Sequence, residues 1–150
     1  MEKPDYVHIA FIAAKPQQTW AAIIDRELSK KYFFGNSFEV GATVGAPFCV
    51  RKPDGTIDVE GEVLAIDPPH RLRVSWQVVW LPDLPKVSIE YRIDDRGEAV
   101  RLSVSEFHGG PIPEKLRDSG RDGWALILSG IKTILETGTP LPPIKPLAPA

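Results

Sequence analysis

The chain has 150 residues, a formal charge of −2 and a pI near 5.9. That length suits one domain able to bury roughly two-thirds of its unfolded surface, and the slightly acidic balance supplies no basic field for collecting phosphates, which argues against nucleic acid as a partner. The single cysteine, Cys49, excludes an internal disulfide and a multi-cysteine metal site, no apolar run approaches a bilayer span, and the amino terminus has no apolar leader, so a cytoplasmic protein with no membrane role is the expectation.

Val7 to Ile12 is short, apolar and β-branched enough to be a first strand, ending before Ala13-Ala14-Lys15-Pro16. Pro16 suits the first turn of a helix, and Trp20, Ile23, Ile24 and Leu28 form a helical stripe running to about Lys31, with a break near Asp25. Ser37 to Val40 reads as a short strand before the turn at Gly41. Turn signals then recur at Pro53-Asp54-Gly55, Asp67-Pro68-Pro69, Pro82-Asp83-Leu84-Pro85 and Asp94-Asp95-Arg96-Gly97. They separate five strand-like runs: Thr43 to Arg51, Thr56 to Ile66, Arg71 to Trp80, Lys86 to Asp94 and Glu98 to Phe107. Connections this short force antiparallel neighbours.

Period two separates the faces. Leu72, Val74, Trp76, Val78 and Trp80 oppose Arg71, Arg73, Ser75 and Gln77; Val87, Ile89, Tyr91 and Ile93 oppose Ser88, Glu90 and Arg92; Val100, Leu102 and Val104 oppose Arg101, Ser103 and Ser105. Val44, Ala46, Phe48 and Val50 continue the apolar face, whereas Thr56 to Ile66 alternates too irregularly to assign. One apolar face predicts a sheet covered on one side. The cover is the segment after Pro113, where Trp124, Ile127, Leu128, Ile131, Ile134 and Leu135 keep helical spacing until Gly138 caps the helix and Pro140 stops it. Gly120 and Gly123 inside that helix cost about 1 kcal/mol each against alanine, which calls for close backbone contact, a kink or an opening. Residues 139–150 form a proline-rich tail expected to be extended rather than packed.

Three stretches carry a resemblance: Ile12-Ala13-Ala14-Lys15-Pro16 through Trp20 to Ile23, Gly61 to Trp76 with Asp67-Pro68-Pro69 at its centre, and Gly123-Trp124 leading to Leu135-Glu136-Thr137-Gly138. In order and spacing they resemble the branch of the START-like (SRPBCC, Bet-v-like) superfamily named for the activator of heat-shock-protein-90 ATPase, over Val7 to Gly138. The resemblance implies an α+β helix-grip fold over residues 1–138: an antiparallel sheet wrapped around the carboxy-terminal helix, two short helices closing one end, and an apolar cavity between. One departure is that Leu28 to Phe34 lacks the tryptophan expected there.

Phe48, Trp76, Trp80, Tyr91, Trp124 and Leu128 are therefore expected to line that space. Glu106 continues the parity of Val100, Leu102 and Val104 onto the apolar face, with His108 beyond it, and a carboxylate there must be paired, wet or protonated. His8, His70 and His108 lie in separate segments without ligand spacing, so no metal is expected. No nucleophile elbow, phosphate loop or dinucleotide fingerprint appears, so neither a cofactor nor a catalytic residue is assigned. The functional expectation is a binder of a small hydrophobic ligand. Its alternatives are a cyclase- or dehydratase-like enzyme using a cavity carboxylate, and a protein whose partner is a chaperone; a homodimer is a further partner expectation.

Overall fold

Short turns between alternating runs pair sequence neighbours, and the first strand alone finds its partner elsewhere, in the last. In order come β1 (Tyr6–Ile12), α1 (Pro16–Ile24), α2 (Arg26–Ser29), β2 (Ser37–Val40), β3 (Pro47–Arg51), β4 (Ile57–Asp67), β5 (Arg71–Val78), β6 (Val87–Asp95), β7 (Val100–His108) and α3 (Glu114–Thr137). The computed structural model describes residues 2–144. All strands pair antiparallel in one seven-stranded sheet of order β1-β7-β6-β5-β4-β3-β2. This is the helix-grip arrangement: β1 returns from the start of the chain to pair with the last strand, and α3 lies beside it.

The stripe on α3 is buried as its spacing predicts, with Trp124, Ile127, Leu128, Ile131 and Ile134 all shielded. They meet the inner faces of the strands at Ile12, Leu72, Val74, Ile89, Tyr91, Ile93, Val100, Leu102 and Val104. Gly138 closes α3 in the left-handed conformation at φ +77°, its N–H donating to the Ile134 carbonyl at 2.9 Å. The break near Asp25 is real. Asp25 ends α1 with extended backbone and its carboxylate accepts from the Leu28 N–H at 2.9 Å, capping α2.

The outer face is wet and ion-paired. Glu90 is nearly buried there between Arg71 and Arg92, at 2.8 Å from each. Burial pushes its carboxyl up, but the hydrogen bonds from Arg92 and Arg71 outweigh burial and hold it below the usual range.

Two sequence expectations differ. The run from Thr43 becomes strand only at Pro47, because Thr43 to Ala46 is spent on a turn closed by the Ala46 N–H on the Thr43 carbonyl; Val44 is 65% exposed instead of facing inward. β5 ends at Val78, where pairing with Val59 ends, and the chain turns so that the Leu81 N–H reaches the Val78 carbonyl. Trp80 therefore leaves the inner face altogether. β4 alternates poorly because its register slips between Val63 and Ala65 and between its partners Val50 and Arg51. The described part of the tail, 139–144, has no regular structure; the remainder lies outside the described residues. No helix among the described residues is long and apolar enough to cross a membrane.

Candidate functional site

The side of β1 that carries Tyr6, His8, Ala10 and Ile12 faces inward, and the register with β7 sets Tyr6 opposite Glu106 and His8 opposite Val104. Residues offset by two across an antiparallel pair are within reach of long side chains. His8 Nε2 thus lies 2.6 Å from Glu106 Oε2, and His108 Nε2, two residues further along β7, lies 3.2 Å from Glu106 Oε1. All three side chains are largely withdrawn from solvent, at 13% exposure for His8, 12% for Glu106 and 8% for His108. The backbone here is pinned by Asp5, whose N–H donates to the Glu106 carbonyl and whose carboxylate accepts from the His108 N–H, both at 2.8 Å.

Parity placed Glu106 and His108 together; it gave no hint of His8, because β1 hides its less apolar side and exposes Val7, Ile9 and Phe11. The signal for His8 is the pairing of the first strand with the last, which is a property of the fold. His70 sits elsewhere, with Nδ1 3.3 Å from the Ile93 carbonyl. No group of three or more histidine, cysteine or carboxylate side chains among the described residues is arranged to hold a metal. Both oxygens of Glu106 are taken up by imidazoles, so the carboxylate orients the two rings.

Beside this cluster stands a wall of rings. Trp124 packs 5.5 Å from Trp76, 6.1 Å from Tyr91, 6.2 Å from Phe33 and 6.4 Å from His8, and Trp76 stacks on Phe48 at 5.6 Å. Tyr6 packs against His108 at 5.6 Å, with the Arg121 guanidinium 5.1 Å from the Tyr6 ring. Phe33 comes from the segment that lacks the expected tryptophan, so a phenylalanine from the same loop supplies the aromatic surface. Leu128 is buried one turn further along α3. Trp80, by contrast, is 60% exposed and donates its indole N–H to Asp58 at 2.8 Å, away from these rings.

Tyr91 is only 2% exposed, yet its hydroxyl has no hydrogen-bond partner among the described residues. Burial holds the Tyr91 phenol far above its ordinary titration range, keeping it a neutral donor. No described residue hydrogen-bonds the Nδ1 atoms of His8 and His108.

The inward stripe of α3 has an opening of its own. Gly120 precedes Trp124 by four residues and Ile127 by seven, which puts it on the inward stripe. A Cβ built there, or at Gly123, meets nothing within 4 Å. Neither glycine serves close contact; the apolar stripe is interrupted by a gap next to the turn that carries Arg121 and Trp124.

Two surface pockets, of about 400 and 480 Å³, share Arg26, Glu39 and Arg51, and Phe48 borders the second. Their charges are already matched, Glu39 lying 3.0 Å from Arg51 and 3.5 Å from Arg26. Cys49, in one of them, has a thiol pushed up by burial and then by Glu39, which makes it a poor nucleophile.

The family model described as "Activator of Hsp90 ATPase homolog 1-like protein" matches residues 13–136. Among solved structures, DynU16, a protein in the dynemicin biosynthetic locus, superposes with a TM-score of 0.74 at 23% identity, over 89% of this chain and 48% of that one. This chain therefore spans about half of that relative. An Hsp90 activator from Plasmodium falciparum gives a TM-score of 0.72 at 18% identity, covering 89% of this chain and 97% of that one. An Aha1 dimer from Colwellia psychrerythraea gives 0.69 at 18% identity, covering 89% and 96%. No curated protein matches the chain.

Proposed function

The chain belongs to the Activator of Hsp90 ATPase homolog 1-like family, and we propose that it is a binding protein for a small apolar or aromatic molecule, held between α3 and the sheet. The observation that carries this reading is the combination of an opening in the α3 stripe at Gly120 with a buried Tyr91 hydroxyl that no described residue hydrogen-bonds. An unbonded hydroxyl in an apolar setting costs on the order of 1–3 kcal/mol, and an interior glycine in a helix about 1 kcal/mol more. Neither cost serves the fold; both are offset when a ligand fills the gap and meets the hydroxyl. Aromatic walls with a few converging polar atoms are the usual composition of such a site. At the identities found, the named relatives support the fold and do not choose between a ligand and a chaperone as partner. Turnover is no part of this reading.

Thermal-shift screening of aromatic polyketide-like compounds, sterols and lipids is expected to return ligands that raise the melting temperature, because a ligand of the native state alone must stabilise it. Tyr91→Phe is expected to weaken a polar ligand by roughly three- to tenfold, the worth of one hydrogen bond, while leaving the unliganded protein as stable as before or more so. A clear loss of stability in the unliganded variant would mean the hydroxyl has a structural partner after all, and failure of every ligand class would remove the reading.

Association with a second copy is favoured by one separate observation. Val7, Ile9 and Phe11 project from the outer face of the edge strand β1, each about half exposed. A run of apolar side chains on an edge strand is a template for pairing unless something covers it. Sedimentation is expected to show a concentration-dependent dimer that Phe11→Lys abolishes; a monomer at every concentration would end this reading.

A further inference from the structure

We infer that a second copy of the chain joins through the free edge of β1, with Val7 of one chain opposite Ile9 of the other about a two-fold at His8. The inference rests on the second-copy reading above and adds the register of the contact.

The reasoning starts from what α3 does to that edge. β1 has β7 on one side and ends the sheet on the other. Lys132 Nζ donates to the Phe11 carbonyl at 2.6 Å, and the Ala13 N–H donates to Glu136 Oε2 at 2.8 Å. In an antiparallel ladder a residue turns its N–H and C=O to the same side, and successive residues alternate. The Phe11 carbonyl, turned to α3 and away from β7, therefore assigns the backbone groups of Val7 and Ile9 to the free edge as well.

The seal stops short of them. Residues three and four apart share a helix face, so the stripe of Glu136 and Lys132 continues back along α3 to Ser129 and Ala125. Both are exposed, and both are too short to reach a strand edge as a lysine does. At the start of the strand Asp5 is committed to β7, its N–H on the Glu106 carbonyl and its carboxylate on the His108 N–H, each at 2.8 Å. Within β1, Val7 and Ile9 are left with both N–H and C=O open, and no described residue outside the sheet bonds them.

This pattern is complementary to itself in one antiparallel register. Val7 opposite the second copy's Ile9, and Ile9 opposite its Val7, closes a hydrogen bond on every one of these groups. A register centred on Ile9 would instead set Val7 against Phe11, whose carbonyl Lys132 already holds. The outward side chains agree with the backbone. Val7 and Ile9, each 46% exposed, fall beside their counterparts, and Phe11, 53% exposed, lies diagonally across from the other Val7. Such an isologous contact joins two seven-stranded sheets into one and removes the open edge.

The test is disulfide trapping in a Cys49→Ser background, which removes the native thiol. Val7→Cys and Ile9→Cys chains are oxidised separately and as an equal mixture. Residues directly opposite on paired strands fit a disulfide, whereas diagonal ones, about 7–8 Å apart, exceed its reach. The mixture is expected to form cross-linked dimer at least about tenfold faster than either variant alone. In the native chain, the amide hydrogens of Val7 and Ile9 are expected to exchange more slowly as concentration rises.

Fastest cross-linking by Ile9→Cys alone would move the two-fold to Ile9 and overturn the register. Unchanged exchange at Val7 and Ile9 in a native protein that sedimentation shows to be dimeric would overturn the edge contact itself. Either result leaves the second-copy reading intact, whereas a native chain that stays monomeric at every concentration ends both. The exchange measurement uses no substitution, so it decides the matter whether or not the variants fold.

Discussion

Trp124→Ala is expected to lower the unfolding free energy by about 3–5 kcal/mol, the range for removing a large aromatic from a packed interior. Trp124 is 6% exposed and touches rings from four other segments: His8 on β1, Phe33 after α2, Trp76 on β5 and Tyr91 on β6. Few other single side chains join helix, sheet and the short-helix loop together. Urea denaturation at neutral pH measures the effect, with the slope of the transition checked for two-state behaviour. A loss below about half a kilocalorie per mole, the usual size of a surface substitution, would mean that the open space beside Gly120 already accommodates the missing ring and the wall is not structural.

The second large effect is a contrast between two glycines of the same helix. Both Gly120→Ala and Gly130→Ala gain about 1 kcal/mol of helix propensity. At Gly120 nothing opposes the gain, because the new methyl meets no atom within 4 Å. At Gly130 the methyl would lie 2.7 Å from Tyr32 Cβ and 3.4 Å from Tyr32 Cα. Tyr32 cannot withdraw easily, since its hydroxyl donates to the Ala22 carbonyl at 2.8 Å and ties the loop to α1. Overpacking of this kind costs about 1–3 kcal/mol. The propensity term cancels in the comparison, so the difference between the two variants measures the clash alone. Gly120→Ala should be the more stable protein in thermal and urea unfolding, and equal stabilities would show that the Tyr32 loop yields freely. Gly120→Leu carries the contrast into function: a side chain large enough to close the gap is expected to abolish ligand binding without loss of stability.

The physical contrast between these positions also marks the boundary of what sequence could say. Spacing identified the α3 stripe and the faces of β5, β6 and β7, because burial on one side of a helix or strand imposes a period that survives in the residues themselves. It flagged Gly120 and Gly123 as costly but could not distinguish contact from gap, since that depends on what stands opposite. Gly130, where contact is tight, drew no attention. His8 was invisible for the same reason: its neighbour Glu106 lies 98 residues away, and only the pairing of first strand with last brings them together. Trp80 failed in the opposite sense. Its parity was right for a longer strand, but the turn after Val78 overrides parity, and an indole that finds Asp58 at 2.8 Å has no need of the interior. The irregular β4 was left unassigned with reason, for a slipped register erases the alternation that assignment relies on.

The Asp5 clamp bears on how the protein can be handled. Asp5 fastens the start of the chain to the Glu106 and His108 backbone, and Glu2 reaches Arg73 on the outer face of the sheet at 2.9 Å. The end of α3 is anchored at the other end of β1, where Lys132 donates to the Phe11 carbonyl and Glu136 accepts from the Ala13 N–H. A chain shortened past Asp5 would lose both of its clamps on β7, so labelling that removes or displaces these first residues loosens the strand pairing that brings His8 to Glu106.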